Sequence, residues 1–230
     1  MKEHHSNGVG SDLRDIILGG QDGLVNVLGV ILAVATATQD AKIVILAGLA
    51  ATFAESLSMA AVGYTSSKAA KQYYDSELER EKREIKEVPE QEKREIRDIY
   101  RAKGFRGKIL DSIVKHITSD KKLWLDTMME EELKLSKEGF ENPLRNAWVI
   151  GVSAIVGSLV PLTPFLFMQV QPAMIASLVF STVVLFACGY YKNQLTVGNP
   201  LKGGLEMAFI GMITALIGYA IGAVLGIALF

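Results

Sequence analysis

The chain reads as an all-α polytopic membrane protein, with five transmembrane helices and a charged helical insert between helices two and three. Three observations predict this. Residues 65–147 hold 19 of the 24 Lys and Arg and 18 of the 25 Asp and Glu. Residues 146–191 carry no Asp, Glu, Lys or Arg, and residues 203–230 carry only Glu206. Five stretches, at about 15–38, 42–65, 146–166, 172–191 and 205–229, are long enough in apolar residues to cross about 30 Å of hydrocarbon. The domains expected are therefore 1–71 with helices one and two, 72–142 as the insert, and 143–230 with helices three to five.

Span one, DIILGGQDGLVNVLGVILAVATAT, contains Gly19, Gly20, Gly23 and Gly29. Glycines are poor helix formers but allow membrane helices to approach closely, so tight packing is expected here. Span two runs from Ile43 through ATFAESLSMAAVGYTSSKAA with no breaker before the charged region, so one helix can continue from the apolar segment into the insert. The insert is punctuated by Pro89, by Gly104 and Gly107 around Phe105, and by Thr118-Ser119-Asp120, a helix N-cap cluster. Three or four short helices result. Ile96, Ile99, Tyr100, Ile109, Leu110, Ile113, Ile117, Leu123, Trp124 and Leu133 recur at helical spacing, enough for a small bundle core. Spans three and four flank a charge-free connection between Pro161 and Pro172, and the last span carries Gly218, Gly222 and Gly226 at four-residue intervals, a packing stripe.

An odd number of spans puts the termini on opposite sides. Positive charge is retained on the cytoplasmic side, so the insert, Lys192, Lys202 and the N-terminus with Arg14 are expected there, and Phe230 opposite. No cleavable signal peptide is evident in the polar opening residues, and the absence of a targeting extension suggests the cell membrane of a prokaryote. The single cysteine, Cys188, excludes an intramolecular disulfide or a thiolate cluster within one chain. A net charge of −1 argues against a nucleic-acid partner.

Two acids lie where acids are expensive. Asp22 and Glu55 fall inside stretches otherwise fit for lipid, and a carboxylate at the bilayer centre costs about 2.5 to 3.5 kcal/mol. Asp15, Gly19, Asp22, Asn26 and Gly29 share one helix face by steps of three and four, a stripe suited to a hydrated path. On span two, Glu55 and Met59 are one turn apart, so an oxygen and a sulfur can share one cation; a lone Met in a span would otherwise be packing. Metal ligands must be deprotonated, so entry of a divalent ion expels protons, the physical basis of cation/proton exchange. In the insert, Glu81 and Glu84 pair at a spacing of three, as do Glu92 and Glu95 across Pro89. Met128 and Met129 precede Glu132 by four and three residues. Carboxylates alone suit Mg²⁺ or Ca²⁺, and thioethers shift preference toward Fe²⁺. Taken alone, the Glu run reads first as a solvated helix face with Glu and Lys in alternation, a reading that the Met-Met-Glu element weakens. His116 stands apart and no ExxH is present, which argues against a di-iron oxidase.

GGQDGLVNVLGV in span one, ESLSMAAVGYTSSK in span two, the paired glutamates and MMEEEL together resemble the vacuolar iron transporter family, over essentially the whole chain. The resemblance implies a homodimer, not an enzyme, with no prosthetic group, that exports Fe²⁺ from the cytosol in exchange for protons, with Mn²⁺ or Zn²⁺ as other substrate ions. By motif it implies Asp22 and Met59 in the path, with Asp15, Asn26 and Glu55 beside them, and Glu81, Glu84, Glu92, Glu95, Met128, Met129 and Glu132 as metal ligands of a cytoplasmic domain. The family's second span more often reads SMxxGEY, and Val62-Gly63 before Tyr64 leaves this chain without that acid. The rival readings are a membrane-anchored metal sensor or ferroxidase, and an uncoupled divalent cation channel.

Overall fold

The computed structural model describes residues 7–136, 142–196 and 198–229, with side chains from Asp12 to Leu225. Among them every regular element is helical: α1 (Asn7–Thr38), α2 (Ala41–Glu87), α3 (Pro89–Ala102), α4 (Gly107–Ser119), α5 (Lys121–Thr127), α6 (Pro143–Leu162), α7 (Val170–Leu195) and α8 (Pro200–Leu229). A π turn, Met128–Glu132, follows α5, and a 3₁₀ turn, Thr163–Leu166, follows α6. Five segments are long and apolar enough to cross a membrane: Asp12–Thr38, Ala41–Glu87, Pro143–Leu166, Val170–Leu195 and Pro200–Leu225. The chain divides into two compact units, one made of residues 1–65 and 143–230, the other of Ser66–Asn142.

Local chemistry accounts for the helix ends. Asp40 opens α2 by accepting from the backbone N–H groups of Lys42 (2.8 Å) and Ile43 (3.4 Å). Pro89 stands in the first turn of α3, where its missing N–H is harmless. Gly104 and Gly107 take φ of +101° and +57°, the left-handed turn that separates α3 from α4. Asp120 caps α5 through Lys122 N and Leu123 N. Pro161 lies inside α6 rather than ending it; Ser177 of α7 donates to its carbonyl at 2.6 Å, satisfying an acceptor in the last turn of α6, just before the 3₁₀ turn.

In the first unit, α1 is surrounded. Leu24, Val27, Leu28, Ile31, Leu32 and Ala35 are all buried, and they divide among three apolar clusters built with residues of α2, α6, α7 and α8. Its glycines set the approach. A methyl placed on Gly157 of α6 would strike the backbone carbonyl of Gly20, and one on Gly218 or Gly222 of α8 would strike the carbonyls of Gly29 or Ala33. The glycines of span one and Gly218 and Gly222 of span five therefore do serve helix contact in lipid, while Gly226 lies outside the residues whose side chains are described. Leu46, Leu57, Trp148 and Phe167 are exposed on the outside, the apolar coat a bilayer requires.

In the second unit, Ile96, Leu110, Val114, Ile117, Trp124 and Met128 form the core, with Ile85, Tyr100 and Ile113 against it. This differs from the periodic expectation in two ways. Ile109 and Leu123 point outward, and Val114 is in the core. On α4 the buried stripe runs through Leu110, Val114 and Ile117 at steps of four and three, which turns the adjacent Ile109 away.

Candidate functional site

Two arrangements of carboxyl groups stand out, one in each unit. In the first, α1 carries Asp15, Asp22 and Asn26 at steps of seven and four, and α2 carries Glu55 and Met59 one turn apart. The packing of α1 brings its stripe to α2: the Asp22 carboxyl lies beside the Glu55 carboxyl, close enough for the two to interact, and the Asn26 side chain, one turn further along α1, lies within reach of Glu55 as well. Asp22, Glu55 and Met59 are half-buried, Asn26 is exposed, and Asp15 is buried two turns toward the start of α1. Ser56, next to Glu55, is buried with its hydroxyl donated to the Thr52 carbonyl at 2.6 Å, so it is committed to its own helix. Among the described residues no Lys or Arg pairs with Asp22 or Glu55.

The second arrangement lies where α2, α3 and the π turn meet. Glu81 and Glu92 are each only 2% exposed, and one carboxylate oxygen of each, Oε2, has no hydrogen-bond partner. Glu84 and Glu95 are half-buried, and Glu132 is exposed. Burial first, then the Glu84 charge, raises the Glu81 carboxyl above its usual range, against the pull of Arg80. Glu92 is pushed up to about 7, first by burial and then by Glu95, Glu81, Glu84 and Glu132. Glu132 reaches about 7 by the same means: water is lost around its carboxyl although the residue as a whole is exposed, and Glu95 and Glu81 then add to the shift. Five glutamates thus share one electrostatic neighbourhood. Periodicity across Pro89 brought out four of them.

Sequence spacing passed over Arg80. Its guanidinium reaches Glu77 Oε2 at 2.7 Å, Glu81 Oε1 at 3.5 Å and Glu84 Oε2 at 3.7 Å, one cation against several acids. The signal was available, since Arg80 and Glu84 are four apart. Gln91 Nε2 also donates to Glu95 Oε1 at 3.2 Å. Among the described residues no three His, Cys, Asp or Glu side chains are closed into a ready ligand sphere. The glutamates feel one another without converging on one point.

The methionines lie differently from the helical spacing. Leu133 N donates to Met128 O and Leu135 N to Met129 O, so the segment is π-wound and α-helical spacing does not define its faces. Met128 and Met129 are both fully buried, and Met128 belongs to the apolar core with Ile96 and Trp124.

The profile of the VIT family matches residues 13–223. The chain is similar to vacuolar iron transporter 1 of Arabidopsis thaliana, 32% identical over 97% of this chain and 91% of that one. It is similar also to vacuolar iron transporter 2 of Oryza sativa subsp. japonica, 33% identical over 90% and 84% of the two chains. A vacuolar iron transporter of Toxoplasma gondii is 29% identical over 97% of this chain and 78% of its own.

Proposed function

The chain belongs to the VIT family as an integral membrane protein, and from that premise we propose that it carries Fe²⁺, and Mn²⁺ as a second substrate, out of the cytosol in exchange for protons. The observation that carries this reading is the juxtaposition of the Asp22 and Glu55 carboxyl groups, with Asn26 nearby, inside spans that are otherwise apolar. Two ionised carboxylates side by side repel, and a proton on one of them removes that repulsion. A divalent ion arriving between them needs both deprotonated, so it takes the proton's place. When the ion leaves, the pair recovers a proton from whichever side it then faces. Cation and proton are therefore alternatives at one pair of groups, the minimum requirement for exchange. Met59 offers a thioether one turn from Glu55, which favours Fe²⁺ over Mg²⁺.

The distribution of cations supports the orientation. Arg14, Arg145, Lys192 and Lys202 stand at the membrane face where α1, α6 and α8 begin and α7 ends, and Lys42 stands at the other. The first face is cytoplasmic, the insert is on the cytosolic side, and the end of α1 and the start of α2 with Lys42 are opposite. The insert gathers metal there: Glu81, Glu84, Glu92, Glu95 and Glu132 repel one another when ionised, and a bound dication relieves that repulsion. Exposure of Asn26 beside a carboxyl pair supports a homodimer in which a second copy covers this face of α1.

The test is metal flux with a pH reporter inside proteoliposomes. Wild-type protein is expected to move Fe²⁺ with a counterflow of protons, and Asp22→Ala to abolish both. Unchanged flux in the variant would refute the assignment, and wild-type flux without proton movement would mark a channel.

A further inference from the structure

Of the four cations at the α1, α6 and α8 starts and the α7 end, three, Arg14, Lys192 and Lys202, pair with no described carboxylate. Arg145 is held by Asp12, Nη2 to Oδ2 at 2.6 Å. Arg14 and Lys192 both line one cleft between α1 and α7, of about 320 Å³, with Leu13, Ile17, Leu18, Gln21 and Thr196. Two positive groups thus share a wall that is otherwise mostly apolar. Outside the cleft, aromatic side chains come just before Lys192 on α7: Tyr190 and Tyr191 meet edge to face with centroids 5.9 Å apart, and Tyr190 stacks on Phe186 at 6.3 Å. Tyrosines at the end of a span sit at the level of lipid headgroups.

We propose that this cleft seats one anionic phospholipid, its phosphate between Arg14 and Lys192 and the start of an acyl chain along Leu13, Ile17 and Leu18. The occupant follows from the chemistry of the wall. A soluble anion would leave the apolar side chains uncovered, and a purely apolar ligand would leave two cations without a counter-charge. A zwitterionic lipid supplies a phosphate but no net charge to balance both. The inference rests on the orientation given above in one respect, since acidic lipids gather in the leaflet that faces the cation-rich side. The seat bears on the transport helix, because Gln21 in its wall precedes Asp22 on α1.

The test uses the full-length protein extracted from bilayers of equal parts phosphatidylglycerol and phosphatidylcholine, with retained lipid read by native mass spectrometry. This readout is independent of flux and of orientation in a vesicle. The wild type is expected to retain phosphatidylglycerol in preference. Arg14→Gln and Lys192→Gln should each lower that preference about fivefold, and the double variant about thirtyfold, the ratios that about 1 kcal/mol per cation corresponds to. Lys202→Gln, at the same face but outside the cleft, should leave it unchanged, and all variants should keep the wild-type melting profile. Equal retention of the two lipids, an equal loss in Lys202→Gln, or displacement of the lipid by millimolar inorganic phosphate would each overturn the proposal.

Discussion

Replacing Glu92 by Gln should make the metal-free protein more stable at alkaline pH and leave it nearly unchanged at acid pH. Glu92 is 2% exposed, and its carboxyl is raised from 4.5 to about 7, by burial and then by Glu95 and Glu81. Since the folded value lies above the unfolded one, the native insert holds a proton that the unfolded chain releases. Stability is therefore full below about pH 4.5, falls as pH rises toward 7, and the loss is complete above 7. At about 1.4 kcal/mol per pKa unit the loss amounts to about 3 kcal/mol. A buried amide without a partner returns about 1 kcal/mol of that, so the net gain for Glu92→Gln at pH 8 is about 2 kcal/mol. Amide hydrogen exchange of α3 in the full-length protein, corrected for intrinsic rates, reads the opening free energy of this segment directly. The variant should exchange about thirtyfold more slowly than the wild type at pH 8, and no more than a few-fold differently at pH 4. Saturating Mn²⁺ should slow the wild type at pH 8 and do less for the variant, because binding to the folded form alone adds stability. Exchange of α3 in Glu92→Gln as fast as in the wild type at pH 8 would refute the account of Glu92 as a strained, ionised ligand.

Gly157→Ala should lower the melting temperature of the purified protein by the equivalent of about 1 to 3 kcal/mol, since its methyl strikes the Gly20 carbonyl. Gly20→Ala is the control: its methyl would lie 3.6 Å from the Ser153 carbonyl oxygen, an ordinary contact, and melting should hardly change. Met128→Leu should cost under about 1.5 kcal/mol because volume is conserved in an apolar core, while the Met128→Leu/Met129→Leu pair should weaken Fe²⁺ binding more than Mg²⁺ binding by calorimetry. Equal losses for both ions would remove thioether selectivity from the mechanism. Arg145→Ala, which opens an ion pair between an exposed guanidinium and a half-buried carboxylate, should change thermal stability by less than about 1 kcal/mol.

The five spans were legible because partition into lipid depends on the composition of a segment about 20 residues long, and residues 146–191 announce theirs by having no charge. The breaks in the insert were equally local. Pro89, the glycines at 104 and 107, and Asp120 act through their own backbone or that of the next few residues. The four insert glutamates at spacings of three emerged from periodicity along one helix each. The face of α4 did not, because Ile109 and Leu110 are equally apolar and only packing against Ile96 and Trp124 distinguishes them.

By itself, then, the order of residues determined the all-helical membrane architecture, the place of the insert and the candidate acids, all properties of neighbours along the chain. The tertiary structure decided which acids meet. Asp22 and Glu55 are 33 positions apart on different helices, and they come together because α1 packs against α2, where Val27 and Ile31 share a buried cluster with Val44. It likewise decided that Met128 lies in an apolar core on a π turn, and that Arg80 stands against Glu77, Glu81 and Glu84 as a close counter-charge. Contacts of this kind depend on where separate helices cross, and the periodicity within any one helix carries no record of the crossing.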